Sequence, residues 1–419
     1  MTLAFLALIA AALAGVPVFV VLGAFGLIYA WHSGVDLSIL PLQIVRLAES
    51  SYLMAIPLFT LTGVILSRGG APERLLRLLN AGFGWIRGGL AAVAVLSCAL
   101  FTAFSGASGV TILALGGLLY PMLLKERFPK RFALGLLTAS GSSGLLFPPS
   151  LVVLFYGVVA GVGIKQLFMA GLLPGVMLVT LLSLYSLWAA RRSGLARAPF
   201  RLSVFIAALR AAVWDLLLPL GILVGLLGGY VTATEAASLA AAYALLLETV
   251  IHRRLSARMF YAVFRETAVL TGTLLIILFM AIGLTNLLIN GQVPMRILAW
   301  LQQSLSTKWQ FLLLLNVFLL VVGFLMDIFS ATMVVVPLIL PLARHFGVNP
   351  VQLGIIFMAN LEIGYIHPPV GMNLFFASQR FEEPVWTLFG AVLPFLAIML
   401  VWLIAITYVP ELSLWWQRI

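Results

Sequence analysis

Apolar stretches recur along the whole chain, from Leu3 to Trp416, and only short polar segments separate them. Many of these stretches contain roughly 20 residues, the length that an α-helix needs to cross ~30 Å of hydrocarbon. Inside a bilayer the backbone N–H and C=O groups must pair with each other, and a helix pairs them within one segment. The pattern therefore predicts an all-α polytopic membrane protein in which the stretch 3–30 is a retained first helix.

The composition points the same way. Hydrophobic residues make up 63% of the 419 residues and charged residues 9%, whereas soluble domains carry about 25% charged residues. The single cysteine, Cys98, excludes an intramolecular disulfide and a cysteine-based metal cluster. No phosphate-binding loop, dinucleotide fingerprint or HExxH motif occurs. We therefore expect no cofactor and no enzymatic activity, so energy for any transport must come from a gradient or a partner.

The net charge of +11 is distributed as in membrane proteins, and we expect no nucleic-acid partner. Most of the 24 Lys and Arg residues lie in four short segments and at Arg380. If these face the cytoplasm, the chain obeys the positive-inside rule. This predicts a multi-pass protein in the lipid bilayer of a bacterial or archaeal cytoplasmic membrane, with a cytoplasmic N-terminus. The four segments are 68–87, 125–131, 191–210 and 253–265.

Two apolar segments, about 88–124 and 309–343, do not fit as single crossings, because the loops at both ends of each belong on one side. Half of each segment is only ~17 residues, or ~25 Å of helix. Small and polar residues mark the turning points, at 105–109 and at Asp327 to Thr332. A polar tip at membrane depth survives against protein or water. We therefore predict two re-entrant helical hairpins; a tight pair of complete crossings is the alternative.

An internal repeat relates the two halves. Pro121 and Pro341 each precede a proline pair by 27 residues, and the two pairs, 148–149 and 368–369, are 220 positions apart. An odd number of crossings separates the halves, so the repeats should be inverted, as in many secondary transporters. The predicted organisation is a first repeat 1–190, a cytoplasmic linker 191–210 and a second repeat 211–419, with Pro-Pro-interrupted helices at about 131–160 and 350–379.

The proline pairs should create the functional site. Proline lacks an N–H and breaks a helix, which exposes carbonyls to a cation and a helix N-terminus to an anion. Hydroxyl, amide and carbonyl oxygens suit a hard monovalent cation. Each repeat should supply one composite site. In the first, Ser105, Gly106 and Ser108 face Gly141, Ser142, Ser143, Gly144 and Pro148 to Ser150; in the second, Asp327, Ser330 and Thr332 face Asn360, Gly364, His367 and Asn373.

Three ionisable residues, Asp327, Glu362 and His367, lie deep in apolar segments, where a charge is costly and usually functional. Glu362 and His367 are candidate proton carriers, or a polar pair satisfied by a neighbouring helix. A remote alternative is an intramembrane serine protease, because residues 106–109 read as a G-x-S-G motif and His367 could serve as its base.

Several motifs together resemble the large M subunit (DctM-like) of the tripartite ATP-independent periplasmic (TRAP) transporters, and they span nearly the whole chain. The resemblance rests on their order and spacing. The motifs are Ala55 to Phe59, Arg87 to Leu90, Ser105 to Ser108, Pro148 to Ser150, Leu173 to Gly175, Thr234 to Ala237, Met326–Asp327, Asn360 to Gly364 and Pro368 to Phe375.

This resemblance implies an elevator-type transporter, similar to the ion transporter superfamily. It implies sodium-coupled uptake of an organic anion, a carboxylate or sugar acid, that a periplasmic binding protein (the P subunit) delivers. A small four-helix membrane subunit (the Q subunit) would be a separate polypeptide. A proton-coupled or stand-alone organic anion carrier of the same architecture is the alternative.

The resemblance also assigns residues to the two kinds of site. His367 departs from the family, which usually has Thr before the second proline pair, and this puts the coupling ion at that site in question. The substrate residues would be Ser105, Gly106, Ser108, Pro149, Ser150, His367, Pro369 and Asn373. The sodium residues would be Ser105, Ser108, Gly144, Pro148, Asp327, Ser330, Thr332, Asn360, Gly364 and Pro368.

Overall fold

The computed structural model describes residues 7–8, 10–11, 16–34, 45, 51–192, 199–302, 305–368 and 371–418. Most of these residues are helical, and no strand occurs among them. Within the described ranges, eight helices are long and apolar enough to cross a membrane, or up to nine if one bent pair counts as a single span. The prediction of an all-α polytopic membrane protein is confirmed.

Ten helices with described bounds lie in the first half of the chain. Their ends follow local chemistry: Thr232, for example, begins the tenth helix with a capping box that it shares with Glu235. A π-helical turn, Leu247–Ile251, extends the same helix. The helices are α1 (Val18–Ser33), α2 (Ser51–Gly69), α3 (Ala71–Phe83), α4 (Gly89–Ser105), α5 (Ser108–Lys125), α6 (Lys130–Ser140), α7 (Leu151–Ala160), α8 (Ile164–Arg192), α9 (Leu202–Leu227) and α10 (Ala233–Leu246).

Eight more helices with described bounds lie in the second half, and a 3₁₀ turn, Trp415–Arg418, follows the last of them. The helices are α11 (Ala257–Asn290), α12 (Val293–Gln302), α13 (Lys308–Leu325), α14 (Ile328–His345), α15 (Pro350–Gly364), α16 (Met372–Phe381), α17 (Val385–Tyr408) and α18 (Glu411–Leu414).

Helices α4 and α5 form one hairpin, and α13 and α14 form another. The connections are two residues long, Gly106–Ala107 in the first and Met326–Asp327 in the second. Helix α5 has 18 residues, which at 1.5 Å per residue is about 27 Å and slightly less than a full span. The bounds agree with the predicted segments within two residues. The re-entrant character of the hairpins stays a prediction.

Helices are interrupted where the two proline pairs occur in the sequence. Helix α6 ends at Ser140 and α7 begins at Leu151; α15 ends at Gly364 and α16 begins at Met372. Short turns fill the first gap, where Leu145 N donates to Ser142 O at 3.0 Å and Phe147 N to Gly144 O at 3.1 Å. Since these bonds join residues only three apart, the first gap consists of tight turns and not of a continuous α-helix.

The helix bounds of the two halves recur at a nearly constant spacing. Ile328 lies 220 positions after Ser108, and His345 lies 220 after Lys125, so α14 repeats α5 without a shift. One close packing contact repeats as well. A Cβ added at Gly144 would lie 2.7 Å from Ala103 N, and one added at Gly364 would lie 2.5 Å from Gly323 Cα, again 220 positions on. The inverted orientation of the repeats stays a prediction.

The second segment of each interrupted helix packs against the hairpin of the other half, α7 against α14 and α16 against α5. The rings of Phe155 and Phe329 lie 5.1 Å apart in a T-shaped pair. On the other side Phe376 fills the space beside Gly109, where an added Cβ would lie 2.7 Å from Phe376 Cδ2. The two halves are therefore interlocked around the two helix breaks.

Several basic segments that were predicted as loops are partly helical, including residues 257–265, which belong to α11. Residues 202–210 of the predicted linker belong to α9, and residues 193–198 lie outside the described residues. In the basic segment 68–87, α3 bends away from α2 by 68°. Its face with Leu75, Leu76 and Leu78 is buried, so counting its arginines as loop charges missed an amphipathic helix.

Candidate ion and substrate site

The first tip, residues 105–108, reverses the chain with a glycine and leaves a helix N-terminus without a side-chain cap. Gly106 has φ of 66°, a left-handed conformation that glycine adopts readily. Ala107 precedes α5 and offers no side chain to its first N–H groups. Ser105 Oγ donates to Ala107 O at 3.3 Å. The N-terminus of α5 therefore keeps its partial positive charge.

Ser108 joins the first tip to the second half of the chain, because its hydroxyl lies 2.7 Å from Asn373 Oδ1 and donates to it. This contact follows from the interlocking of the halves, in which α16 packs against α5. That Asn373 also faces Asp327 stays a prediction. Asn373 Nδ2 is buried without a partner, so the amide still offers two donors to a ligand.

Behind the first tip lies a hydroxyl pair that the sequence analysis did not single out. Thr102 Oγ1 and Thr111 Oγ1 are 2.6 Å apart, and Thr102 Oγ1 donates to Gly141 O at 2.7 Å. This bond ties α4 to the start of the first break. Gly144 has a packing role, because an added Cβ would overlap Ala99 O.

Several buried oxygens around the first break have no hydrogen-bond partner. Ser142 and Ser150 are fully buried, and neither hydroxyl is paired. Pro148 and Pro149 are buried beside them. Because buried polar groups in proteins are normally hydrogen-bonded, unpaired hydroxyls next to a helix break are suited to a bound ion or substrate.

The second tip, residues 326–330, differs because it caps its own helix. Asp327 Oδ1 accepts from Phe329 N and Ser330 N, each at 3.0 Å. Ile328 N donates to Tyr365 Oη at 2.7 Å, which fixes the tip against the second break. Thr332 Oγ1 donates to Ile328 O at 2.6 Å. Only the Ser330 hydroxyl of this group is buried and unpaired.

The amide nitrogen of Asn360 belongs to a hydrogen-bond network among α13, α15 and α17, and that Asn360 faces Asp327 stays a prediction. Asn360 Nδ2 donates to Asn316 Oδ1 at 2.7 Å and to Ile356 O at 2.8 Å. Asn316 Nδ2 in turn donates to Thr407 Oγ1 at 3.2 Å. Asn360 Oδ1 is buried and unpaired, so one oxygen of the amide stays available.

At the second break, His367 stacks on Phe324 with ring centroids 5.9 Å apart, and its Nδ1 is unpaired. Gly364 packs backbone to backbone on Gly323. Pro368 is half-buried, and Pro369 lies outside the described residues. No hydrogen bond between Ser108 and His367 occurs in the described structure, so it offers no serine–histidine dyad.

Glu362 is the deepest carboxyl of the site, with 1% of its surface exposed. Neither of its oxygens is hydrogen-bonded, so the described structure does not show Glu362 satisfied by a neighbouring helix, which was the alternative to a proton carrier. The Ser142 side chain lies beside it, although the two do not reach hydrogen-bond geometry. Ser142 and Glu362 are 220 positions apart, so the two halves meet here through equivalent residues.

The sequence analysis also missed a buried ion cluster at the bend between α2 and α3. Arg74 Nε lies 2.6 Å from Asp215 Oδ2 and Arg74 Nη2 lies 2.7 Å from Asp215 Oδ1. Nη2 also contacts Glu248 Oε1, and His252 Nε2 lies 4.0 Å from Asp215. The signal was two carboxylates, Asp215 and Glu248, inside apolar segments, where a charge needs a partner.

A cavity of about 230 Å³ opens beside the first tip, between it and the helices α2 and α11. Ser105, Gly106 and Ala107 line one wall, while Ser67 of α2 and Glu266 of α11 line another. Of the predicted substrate residues, the structure therefore brings Ser105 and Gly106 to an open space.

The chain matches the family model described as "Tripartite ATP-independent periplasmic transporter, DctM component" over residues 4–412. It is 36% identical to the C4-dicarboxylate TRAP transporter large permease protein DctM of Pseudomonas aeruginosa over 90% of this chain and 88% of that protein. It is 30% identical to the ectoine TRAP transporter large permease protein TeaC of Halomonas elongata over 86% and 85%.

A solved structure also resembles this one in fold. The crystal structure of the Alcanivorax borkumensis YdaH transporter superposes with a TM-score of 0.60 at 16% identity, covering 94% of this chain and 98% of that chain. At this identity the likeness shows the fold alone.

Proposed function

Because the chain belongs to the DctM family of tripartite ATP-independent periplasmic transporters, in which it is the large permease subunit, we propose that it imports a small organic anion with sodium as the coupling ion. It has no enzymatic role, since its relatives are permease proteins.

The names of the relatives support an organic anion as the transported molecule. Similar proteins are named for C4-dicarboxylate, isethionate and 2,3-diketo-L-gulonate, all of which carry a carboxylate or sulfonate group. The uncapped N-terminus of α5 at the first tip suits such a group, because anions are favoured at helix N-termini.

Sodium coupling is supported by one observation above others, which is the set of buried oxygens without a protein partner around the two breaks. Ser142, Ser150 and Ser330 contribute hydroxyls, and Asn360 contributes Oδ1. Neutral oxygens of this kind are the ligands that hard cations prefer. Each repeat would then hold its ion next to its own tip.

Membership of the family supports the proposed partners and placement. The chain would work with a small four-helix membrane subunit (Q) and a periplasmic binding protein (P), in a bacterial cytoplasmic membrane with its N-terminus in the cytoplasm. One relative is named the isethionate TRAP transporter permease protein DctMQ, and this chain covers 58% of it.

The test is uptake into proteoliposomes that contain the chain, its small subunit and its cognate binding protein. Uptake should require an inward sodium gradient and the binding protein. Ser330→Ala should raise the sodium concentration for half-maximal uptake about tenfold, because it removes a buried unpaired hydroxyl. Ser186→Ala is the matched control, since Ser186 is equally buried but donates to Leu182 O. Uptake that proceeds unchanged without sodium would overturn the proposal.

A second candidate, proton coupling, is favoured by Glu362, a buried carboxyl without a hydrogen-bond partner. Carboxyls inside the membrane-spanning part of transporters commonly act as proton relays. Under this alternative, Glu362→Gln abolishes the pH dependence of uptake while sodium has no effect. The sodium proposal predicts the opposite pattern, with sodium dependence intact in Glu362→Gln.

A further inference from the structure

The cavity beside the first tip has an ion pair at its rim. Glu266 lines the cavity, and Arg68 follows the lining residue Ser67 at the end of α2. Arg68 Nε and Nη2 both lie 2.6 Å from Glu266 Oε2. Among the described lining residues there is no lysine or arginine, so Arg68 supplies positive charge to a wall that otherwise carries a carboxylate.

This ion pair is of a kind that can open. The side chains of Arg68 and Glu266 are 46% and 38% exposed, and exposed pairs contribute little because water competes for both partners. Both guanidinium nitrogens share one carboxylate oxygen, rather than forming the two parallel bonds of a forked pair. The guanidinium of Arg68 therefore keeps N–H donors that Glu266 does not bind.

An organic anion in this cavity is repelled by one member of the ion pair and attracted by the other. The carboxylate of Glu266 repels another anion at short range, while the guanidinium of Arg68 offers the fork that carboxylates prefer. The cavity of about 230 Å³ is smaller than the ~300–1,000 Å³ of pockets for drug-sized ligands. It therefore suits a small anion that reaches from the first tip to the rim.

We propose that Arg68 binds the anionic group of the transported molecule at the rim of this cavity, and that Glu266 is an internal competitor that occupies Arg68 when the cavity is empty. This inference rests on the proposed organic anion cargo. When the cargo binds, Arg68 leaves Glu266 and pairs with the cargo, so one ion pair replaces another. Arg68 therefore raises the affinity of the site for the anion, and Glu266 lowers it.

The experiment compares four forms of the full chain: wild type, Arg68→Gln, Glu266→Gln and Arg258→Gln. Arg258 is the matched control, because it is exposed on α11, the helix that carries Glu266. Binding of succinate, isethionate and 2,3-diketogulonate to the purified protein in detergent gives affinity, and uptake by the complete assembly gives KM. For the anion that binds best, Arg68→Gln should weaken affinity and raise KM about tenfold.

Glu266→Gln should do the reverse and tighten affinity severalfold, because the competitor is gone; Arg258→Gln should resemble wild type. If Arg68→Gln and Glu266→Gln both weaken binding equally, the pair is only structural and the inference fails. It also fails if neither changes affinity or if wild type binds none of the three anions. If the anion binds through Arg68 but its uptake does not require sodium, the role of Arg68 stands and only the proposed sodium coupling is contradicted.

Discussion

Two arginines at the bend between α2 and α3 are six positions apart and have opposite surroundings. Arg74 forms two parallel bonds with Asp215 and contacts Glu248, and its side chain is only 10% exposed. Arg68 shares one oxygen of Glu266, and its side chain is 46% exposed. Basic residues that look alike in a positive-inside count therefore have different physical roles.

The difference lies in the cost of losing the partner. A buried carboxylate without its cation is strongly unfavourable, so Arg74 should stay paired with Asp215 and Glu248 in the folded protein. An exposed carboxylate is solvated when its partner leaves, so Arg68 can exchange partners. The bend is thus fixed by one arginine and, in our proposal, connected to the cargo by the other.

The largest effect should come from Arg74→Gln, which leaves Asp215 and Glu248 buried without a cation. We expect a loss of about 3–5 kcal/mol in the free energy of unfolding, seen as a lower Tm and poor recovery of the protein in detergent. Arg77→Gln is the control, because Arg77 is exposed on the same helix, and its effect should stay within about 0.5 kcal/mol. Equal losses in the two variants would contradict a stabilising role of the cluster.

A smaller loss is expected from Gly69→Ala. A Cβ at this position would lie 2.5 Å from Glu248 Oε2, so the cluster must shift, and overpacking of this kind costs about 1–3 kcal/mol. Gly272→Ala on α11 is the matched control, since nothing lies within 4 Å of the added Cβ. Thermal unfolding should show a lower Tm for Gly69→Ala and no loss for Gly272→Ala.

His252, just beyond the candidate span that ends at Ile251, should make the cluster sensitive to acid. Burial lowers the pKa of His252, and the charge of Arg74 lowers it further. The unfolded chain therefore binds a proton at higher pH than the folded one, so this contribution is complete at pH values above about 6.5 and declines as the pH falls below that. The Tm of wild type should drop more between pH 7.5 and pH 5 than that of His252→Gln; parallel curves would contradict this.

The smallest stability effect should come from Arg68→Gln, at about 0–1 kcal/mol, because its pair with Glu266 is exposed. High salt should remove even this difference, since it screens exposed charges. Tm values in 0.05 M and 1 M NaCl test the point. A loss as large as that of Arg74→Gln would mean that both arginines are structural.

The features that depend on local chemistry were predictable from the sequence. Proline removes a helix hydrogen bond wherever it occurs, so the breaks at 141–150 and 365–371 followed from the two pairs. The tips of the two hairpins were predictable from small and polar residues in otherwise apolar segments. The helical nature of α3 was missed, because its arginines were counted as loop charges before the apolar period of Leu75, Leu76 and Leu78 was considered.

Features that depend on contacts between distant segments were not predictable in the same way. Asn373 was assigned to the second tip because it lies in the second repeat, yet it bonds Ser108 in the first. The ion partners of Arg74 are 141 and 174 positions away along the chain. Hydropathy indicates where a charge is costly but does not identify the segment that neutralises it.

The interlocking of the halves also has a consequence for the order in which the chain is made. Helix α7 is synthesised long before α14, the helix on which it packs. Phe155 therefore cannot contact Phe329 until α14 has entered the membrane. Contacts of such long range slow folding. A chain that stops after Arg192 lacks the partner of α7, whereas the fragments 1–198 and 199–419, made together, should associate through these contacts and co-purify.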